Sequence, residues 1–113
     1  MMRTSRLAEI FKKEICDIIR RELKDPRIGF VTITAVEVSP DLKHATVFLS
    51  VLGEESEQED TLEGLESARG FIKTELGKRI RIKFLPDLTF KIDKSIEEGM
   101  RISELLKRIQ EGG

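Results

Sequence analysis

Thr61-Leu62-Glu63-Gly64-Leu65-Glu66-Ser67-Ala68-Arg69-Gly70-Phe71-Ile72-Lys73-Thr74-Glu75-Leu76 decides how this chain folds. Apolar residues recur at three- and four-residue steps through Leu62, Leu65, Ala68, Ile72, Leu76 and Ile80, the spacing of one buried helix face. Ser67-Ala68-Arg69-Gly70 interrupts the run, and glycine inside a helix costs roughly 1 kcal/mol relative to alanine. Residues 58–82 therefore read as two short helices meeting near Gly70. Downstream, Pro86-Asp87 leads into Leu88-Thr89-Phe90-Lys91-Ile92-Asp93, whose alternation predicts a strand; proline is harmless at a strand start. Ser95-Ile96-Glu97-Glu98 is a capping box and predicts a C-terminal helix over 94–111.

Upstream lie two β-branched runs, Phe30 to Val38 and Ala45 to Leu52, suited to a pleated sheet. The turn residues Ser39-Pro40-Asp41-Leu42-Lys43 join them as an antiparallel hairpin. Before them, Leu7, Ile10, Phe11, Ile15, Ile18, Ile19 and Leu23 mark an amphipathic helix. Thr4 or Ser5 is positioned to cap it, and Asp25-Pro26 ends it. The order is αββααβα in a single domain over residues 1–113. That is an α+β fold, a three-stranded sheet with helices on one face.

Composition excludes several functions. The chain has 113 residues, one cysteine and one histidine. Cys16 alone forms no internal disulfide and fits a reducing compartment. His44 alone leaves no Cys/His metal set and no histidine triad. No apolar stretch reaches the roughly 18 residues of a membrane span, and the N-terminus lacks a secretory signal. Neither a Walker loop nor GxGxxG is present, so a nucleotide-binding enzyme has no support. The acidic run Glu54 to Asp60 lacks the spacing and glycine of a calcium loop. It reads as a solvated loop and helix start.

Net charge is −1, but the charge is segregated. Residues 1–29 carry a balance of +3, residues 54–66 one of −7 and residues 69–94 one of +5. A basic face with an acidic edge suits an anionic partner. Arg69, Lys73, Lys78, Arg79, Arg81 and Lys83 follow or flank the Gly70 bend. They are the candidate phosphate contacts, with Arg3, Arg6, Lys12 and Lys13 as a second patch. A helix N-terminus at the bend offers amides to a phosphate, and small Ala68 and Gly70 allow close backbone approach. The structural alternative is that both small residues only let the helices pack. Neutralising about six phosphates predicts a log–log salt slope of roughly −4 to −5. Most of the phenylalanines sit in apolar patterns, so base stacking like that of an RRM sheet is not expected.

Several blocks carry a resemblance. They are Asp25-Pro26-Arg27-Ile28-Gly29-Phe30-Val31-Thr32-Ile33-Thr34, Val38-Ser39-Pro40-Asp41-Leu42-Lys43-His44-Ala45, Val47 to Gly53, Ser67 to Ile72, and Arg81 to Phe90. In this order and spacing the chain resembles the bacterial ribosome-binding factor A family. The resemblance implies a type II KH-like fold, with Ala68-Arg69-Gly70 where ordinary KH domains carry GxxG. It also implies a non-catalytic, cytoplasmic assembly factor without cofactor. Such a factor binds free 30S subunits and 16S rRNA, assists late maturation including 5′-end processing, and serves growth in the cold. A monomer and no membrane partner are expected. The rival readings are a general KH-like nucleic-acid module, a protein adaptor, and a metal-dependent hydrolase using the acidic run.

Overall fold

The computed structural model describes residues 4–94. Its elements run α1 (Thr4–Glu22), β1 (Val31–Val38), β2 (His44–Val51), α2 (Glu55–Ser67), α3 (Arg69–Arg79) and β3 (Asp87–Ile92). The helix expected over 94–111, its capping box and the candidate contact Arg3 lie outside the described residues.

Helix α1 spans 19 residues, a rod of about 28 Å. Phe11, Ile15 and Ile18 are fully buried, and each such side chain contributes about 1.5–3 kcal/mol relative to exposure. Ser5 lies inside the helix and does not cap it. Beyond Glu22, Asp25 Oδ1 accepts the Arg27 N–H at 2.9 Å and the Asp25 carbonyl accepts the Ile28 N–H at 3.1 Å. This side-chain-to-backbone turn reverses the chain towards β1.

The sheet order is β1-β2-β3. Strands β1 and β2 pair antiparallel, whereas β2 and β3 pair parallel. Ala45, Val47, Leu49 and Val51 of β2 all face the helices, as the alternation predicts. Strand β1 departs from strict alternation. A bulge between Ile33 and Ala35 inserts one residue, so Ile33 and Val36 both point into the core. The bulge residue Thr34 donates its hydroxyl to Asp93 Oδ2 at 2.6 Å, across β2. Thr32, Glu37, Thr89 and Lys91 are exposed on the opposite face.

Helix α2 begins at Glu55, earlier than the sequence reading, so the acidic run is largely helical. Glu55 and Glu57 stand in its first turn, where carboxylates complement the positive end of the helix dipole. Gly53 precedes it with φ +134°, a conformation that side-chain-bearing residues avoid. Helix α2 docks on the α1–β1 loop through Thr61, whose hydroxyl oxygen lies 3.4 Å from the Gly29 N–H. Close approach there requires Gly64, because a Cβ at that position would lie 2.8 Å from Ile28 Cγ1.

Candidate nucleic-acid interface

The bend between α2 and α3 is made by one residue, Ala68, with φ −91° and ψ 0°. Its N–H donates to the Gly64 and Leu65 carbonyls, both at 3.1 Å. Its carbonyl accepts the Ile72 N–H at 2.9 Å. The chain turns without breaking this ladder. Gly70, expected to permit the bend, lies inside α3, and a Cβ there would meet nothing within 4 Å. Neither sterics nor backbone angle requires a glycine at this exposed position.

Around the bend, Arg69, Gly70, Lys73, His44, Asp87, Leu88 and Thr89 line a concavity of about 470 Å³. Lys73 Nζ donates to Asp87 Oδ1 at 2.9 Å. That hydrogen bond and the charge of Lys73 hold the Asp87 carboxyl below its ordinary value. Arg69 is half-exposed and sits 3.3 Å from Glu66. A surface pair of this kind is worth little, so the guanidinium can exchange Glu66 for a phosphate.

His44 and Asp87 also belong to a second, larger groove of about 660 Å³, which continues through residues 41–43 and 82–86 to Leu7. Parallel pairing places His44 directly opposite Asp87, which joins the two concavities. The connected surface therefore carries Arg69, Lys73, Lys43, His44 and Lys83.

The structure divides the remaining candidates. Arg79 points inward to α1: Nη1 donates to Asp17 Oδ2 at 2.6 Å and Glu14 Oε2 at 3.2 Å, and Nη2 lies 3.8 Å from Glu22. Its hydrogen bond to Asp17 raises the Arg79 pKa and lowers that of Asp17. Arg79 thus pins α3 to α1 and does not line the connected grooves. Lys78 pairs with Glu75 at 3.0 Å. Arg81 is exposed. Arg6 stands exposed beside Leu7, Lys12 is half-buried, and Lys13 lies among Asp17, Arg20 and Arg21 on the α1 surface.

Two residues of this surface, Lys43 and Phe84, escape a reading of the sequence, and a third, His44, reads there as plain surface more readily than as a base or phosphate contact. Lys43 and His44 look like turn and plain surface residues there; only the β2–β3 pairing brings them to the bend. Phe84 looks like part of an apolar pattern, yet it is 77% exposed and lines the larger groove. Among the described residues there is no group of three or more His, Cys, Asp or Glu suited to a metal. No described helix is long and apolar enough to cross a membrane.

The family model for ribosome-binding factor A matches residues 3–106. A Halothermothrix orenii ribosome-binding factor A is 54% identical over 109 residues, covering 96% of this chain and 89% of its own. One from Natranaerobius thermophilus is 54% identical over 111 residues, covering 98% and 85%. The crystal structure of ribosome-binding factor A from Thermus thermophilus superposes with a TM-score of 0.75 at 28% identity, over 82% of this chain and 98% of that one. A Thermus thermophilus homology model fitted into a cryo-EM map of a 30S complex gives a TM-score of 0.68 at 28% identity, over 80% and 96%. The three helices and mixed sheet are the KH-like α+β fold of these relatives. With a family match across nearly its whole length and half its residues shared with such relatives, this chain belongs to the ribosome-binding factor A family.

Proposed function

We propose that this chain is a non-catalytic assembly factor that docks on the free 30S subunit and holds 16S rRNA by its phosphates. The observation that carries the reading is the connected basic surface of Arg69, Lys73, Lys43, His44 and Lys83 around two joined grooves. The relative fitted into a 30S complex supports the choice of subunit. Ammonium and guanidinium groups on a backbone-shaped groove position RNA without reading sequence. Binding acts by differential affinity for one local rRNA conformation. Late maturation, including 5′-end processing and its importance in the cold, follows from stabilising that conformation. The factor works as a cytoplasmic monomer without a cofactor.

Without Arg79, about five cations remain for phosphates: Arg69, Lys73, Lys43, Lys83 and neighbouring Arg81. The expected log–log salt slope becomes roughly −3.5 to −4.5. Sedimentation of the protein with separated 30S, 50S and 70S particles tests the reading. Co-migration with free 30S alone, weakening as salt rises, is expected. Equal migration with every particle, or none with 30S at low salt, overturns it.

A further inference from the structure

The larger groove has a chemistry that phosphate binding does not use. Leu7, Leu42, Ile82, Phe84, Leu85 and Pro86 give it apolar walls. Phe84 and Leu42 are 77% and 45% exposed, a large apolar area to leave in water. Leu42 stands at φ 62°, a left-handed conformation costly for a side chain of its kind. The turn around it enforces that conformation. The Ser39 carbonyl accepts the Leu42 N–H at 2.8 Å, and Asp41 Oδ1 accepts the Lys43 N–H at 3.0 Å. The strain therefore holds an apolar side chain at the groove edge.

The rim charge leans positive, with Lys43, Lys73 and Lys83 set against Asp41 and Asp87. Asp41 accepts the Ser39 hydroxyl at 2.6 Å, and Asp87 is taken by Lys73. Lys43 and Lys83 line the same rim; Lys43 stands beside the Asp41 carboxylate, and Lys83 is exposed. The Lys83 ammonium lies 5.6 Å from the Phe84 ring centroid, so a cation and a π-face stand side by side. An apolar slot with an aromatic wall and a net positive rim fits an anionic chain that carries flat apolar groups. It fits a basic peptide poorly.

We propose that this groove takes an unpaired nucleobase, seated between Leu42 and the Phe84 ring while Lys43 and Lys83 hold the flanking phosphates. The proposal rests on the RNA-binding reading above and adds to it a base-contacting site on the hairpin side of the bend. Aromatic–base stacking tolerates any base, so the site selects an unstacked nucleotide rather than a sequence.

The test uses the full chain and two fluorescein-labelled probes. One is a single-stranded octaribonucleotide of mixed sequence; the other is the same backbone with every base removed. The wild type binds the first on the order of tenfold tighter, within the range for a base on one aromatic ring. Phe84→Ala binds both alike, and Phe84→Trp restores the preference, with melting curves confirming that both variants are folded. Photocrosslinking the wild type to the 4-thiouridine octamer labels residues 82–87. Equal wild-type affinity for the two probes overturns the proposal, as does a preference that survives Phe84→Ala. Self-association abolished by Phe84→Ala with no base preference assigns the groove to a second copy and also overturns it. If base preference is absent while 30S binding persists, the groove alone fails; if 30S binding is absent, the assembly-factor reading fails.

Discussion

Arg79 Nη1 and Asp17 Oδ2 meet at 2.6 Å and fasten the last turn of α3 to the middle of α1. The pair joins residues 62 apart in sequence, and Glu14 and Glu22 surround the same guanidinium. Arg79, together with Arg21 on Asp17, thereby draws together three acids of α1. The basic surface around Ala68 is held at a fixed angle to α1 as a result.

Replacing Arg79 by Gln is expected to lower Tm by a few degrees while leaving 30S affinity within about twofold. Lys43, Arg69, Lys73 and Lys83 remain in place to meet the RNA. Thermal unfolding and subunit sedimentation of the same preparation check both halves. A variant of unchanged Tm with lost binding would return Arg79 to the RNA contacts.

Acid is expected to loosen the fold from about pH 4 downward. Arg79, Arg27, Ser39 and Lys73 hold Asp17, Asp25, Asp41 and Asp87 below the ordinary value of 3.8. A carboxylate with a depressed folded-state pKa contributes stability that is present above its unfolded pKa. That stability is lost as pH falls through the folded value. Tm measured from pH 6 to pH 2 should fall below about pH 4, and Asp17→Asn should flatten that fall. An identical pH profile for Asp17→Asn would contradict the assignment.

Gly70→Ala should stabilise α3 by up to about 1 kcal/mol, because alanine favours a helix and the added Cβ meets no atom within 4 Å. Gly64→Ala should destabilise, since its Cβ would lie 2.8 Å from Ile28 Cγ1. A bulkier Gly70→Val is expected to weaken 30S binding several-fold at near-native stability by obstructing close approach at the groove. Full affinity in that variant would leave Gly70 with no part in docking.

Thr34→Val keeps the shape of the bulge but removes the hydroxyl that donates to Asp93 at 2.6 Å. A hydrogen bond to a carboxylate is worth about 1.5–3 kcal/mol, and urea unfolding should show a loss in the lower part of that range. No change in the unfolding midpoint would show that the contact across β2 contributes nothing.

Local periodicity made much of this fold legible. Phe11, Ile15 and Ile18 repeat at helical steps and are buried. Val47 and Leu49 of β2, and Leu88 and Phe90 of β3, alternate and face the helices. The break in pattern at residues 67–70 marks a real bend, placed two residues late because glycine draws the reading away from Ala68. Other features depend on contacts distant in sequence. The bulge at Thr34 shifts β1 by one residue without any glycine to announce it. Parallel pairing of β2 with β3 unites His44 with the bend, and no short-range pattern encodes a parallel partner. Arg79 reads as one more base in a basic run until α1 supplies its carboxylates. Phe84 follows Ile82 in alternation, yet the α3–β3 loop turns it outward.

The central claim is that the two joined grooves form the RNA-docking surface. The most direct measurement is the 30S affinity of Lys43→Gln/Arg69→Gln/Lys73→Gln/Lys83→Gln across salt, beside wild type. Removing four of about five phosphate contacts should weaken binding by at least tenfold at low salt and cut the log–log slope to about −1, with the fold intact. Wild-type affinity and an unchanged salt slope in that variant would place the RNA on another face and contradict the account.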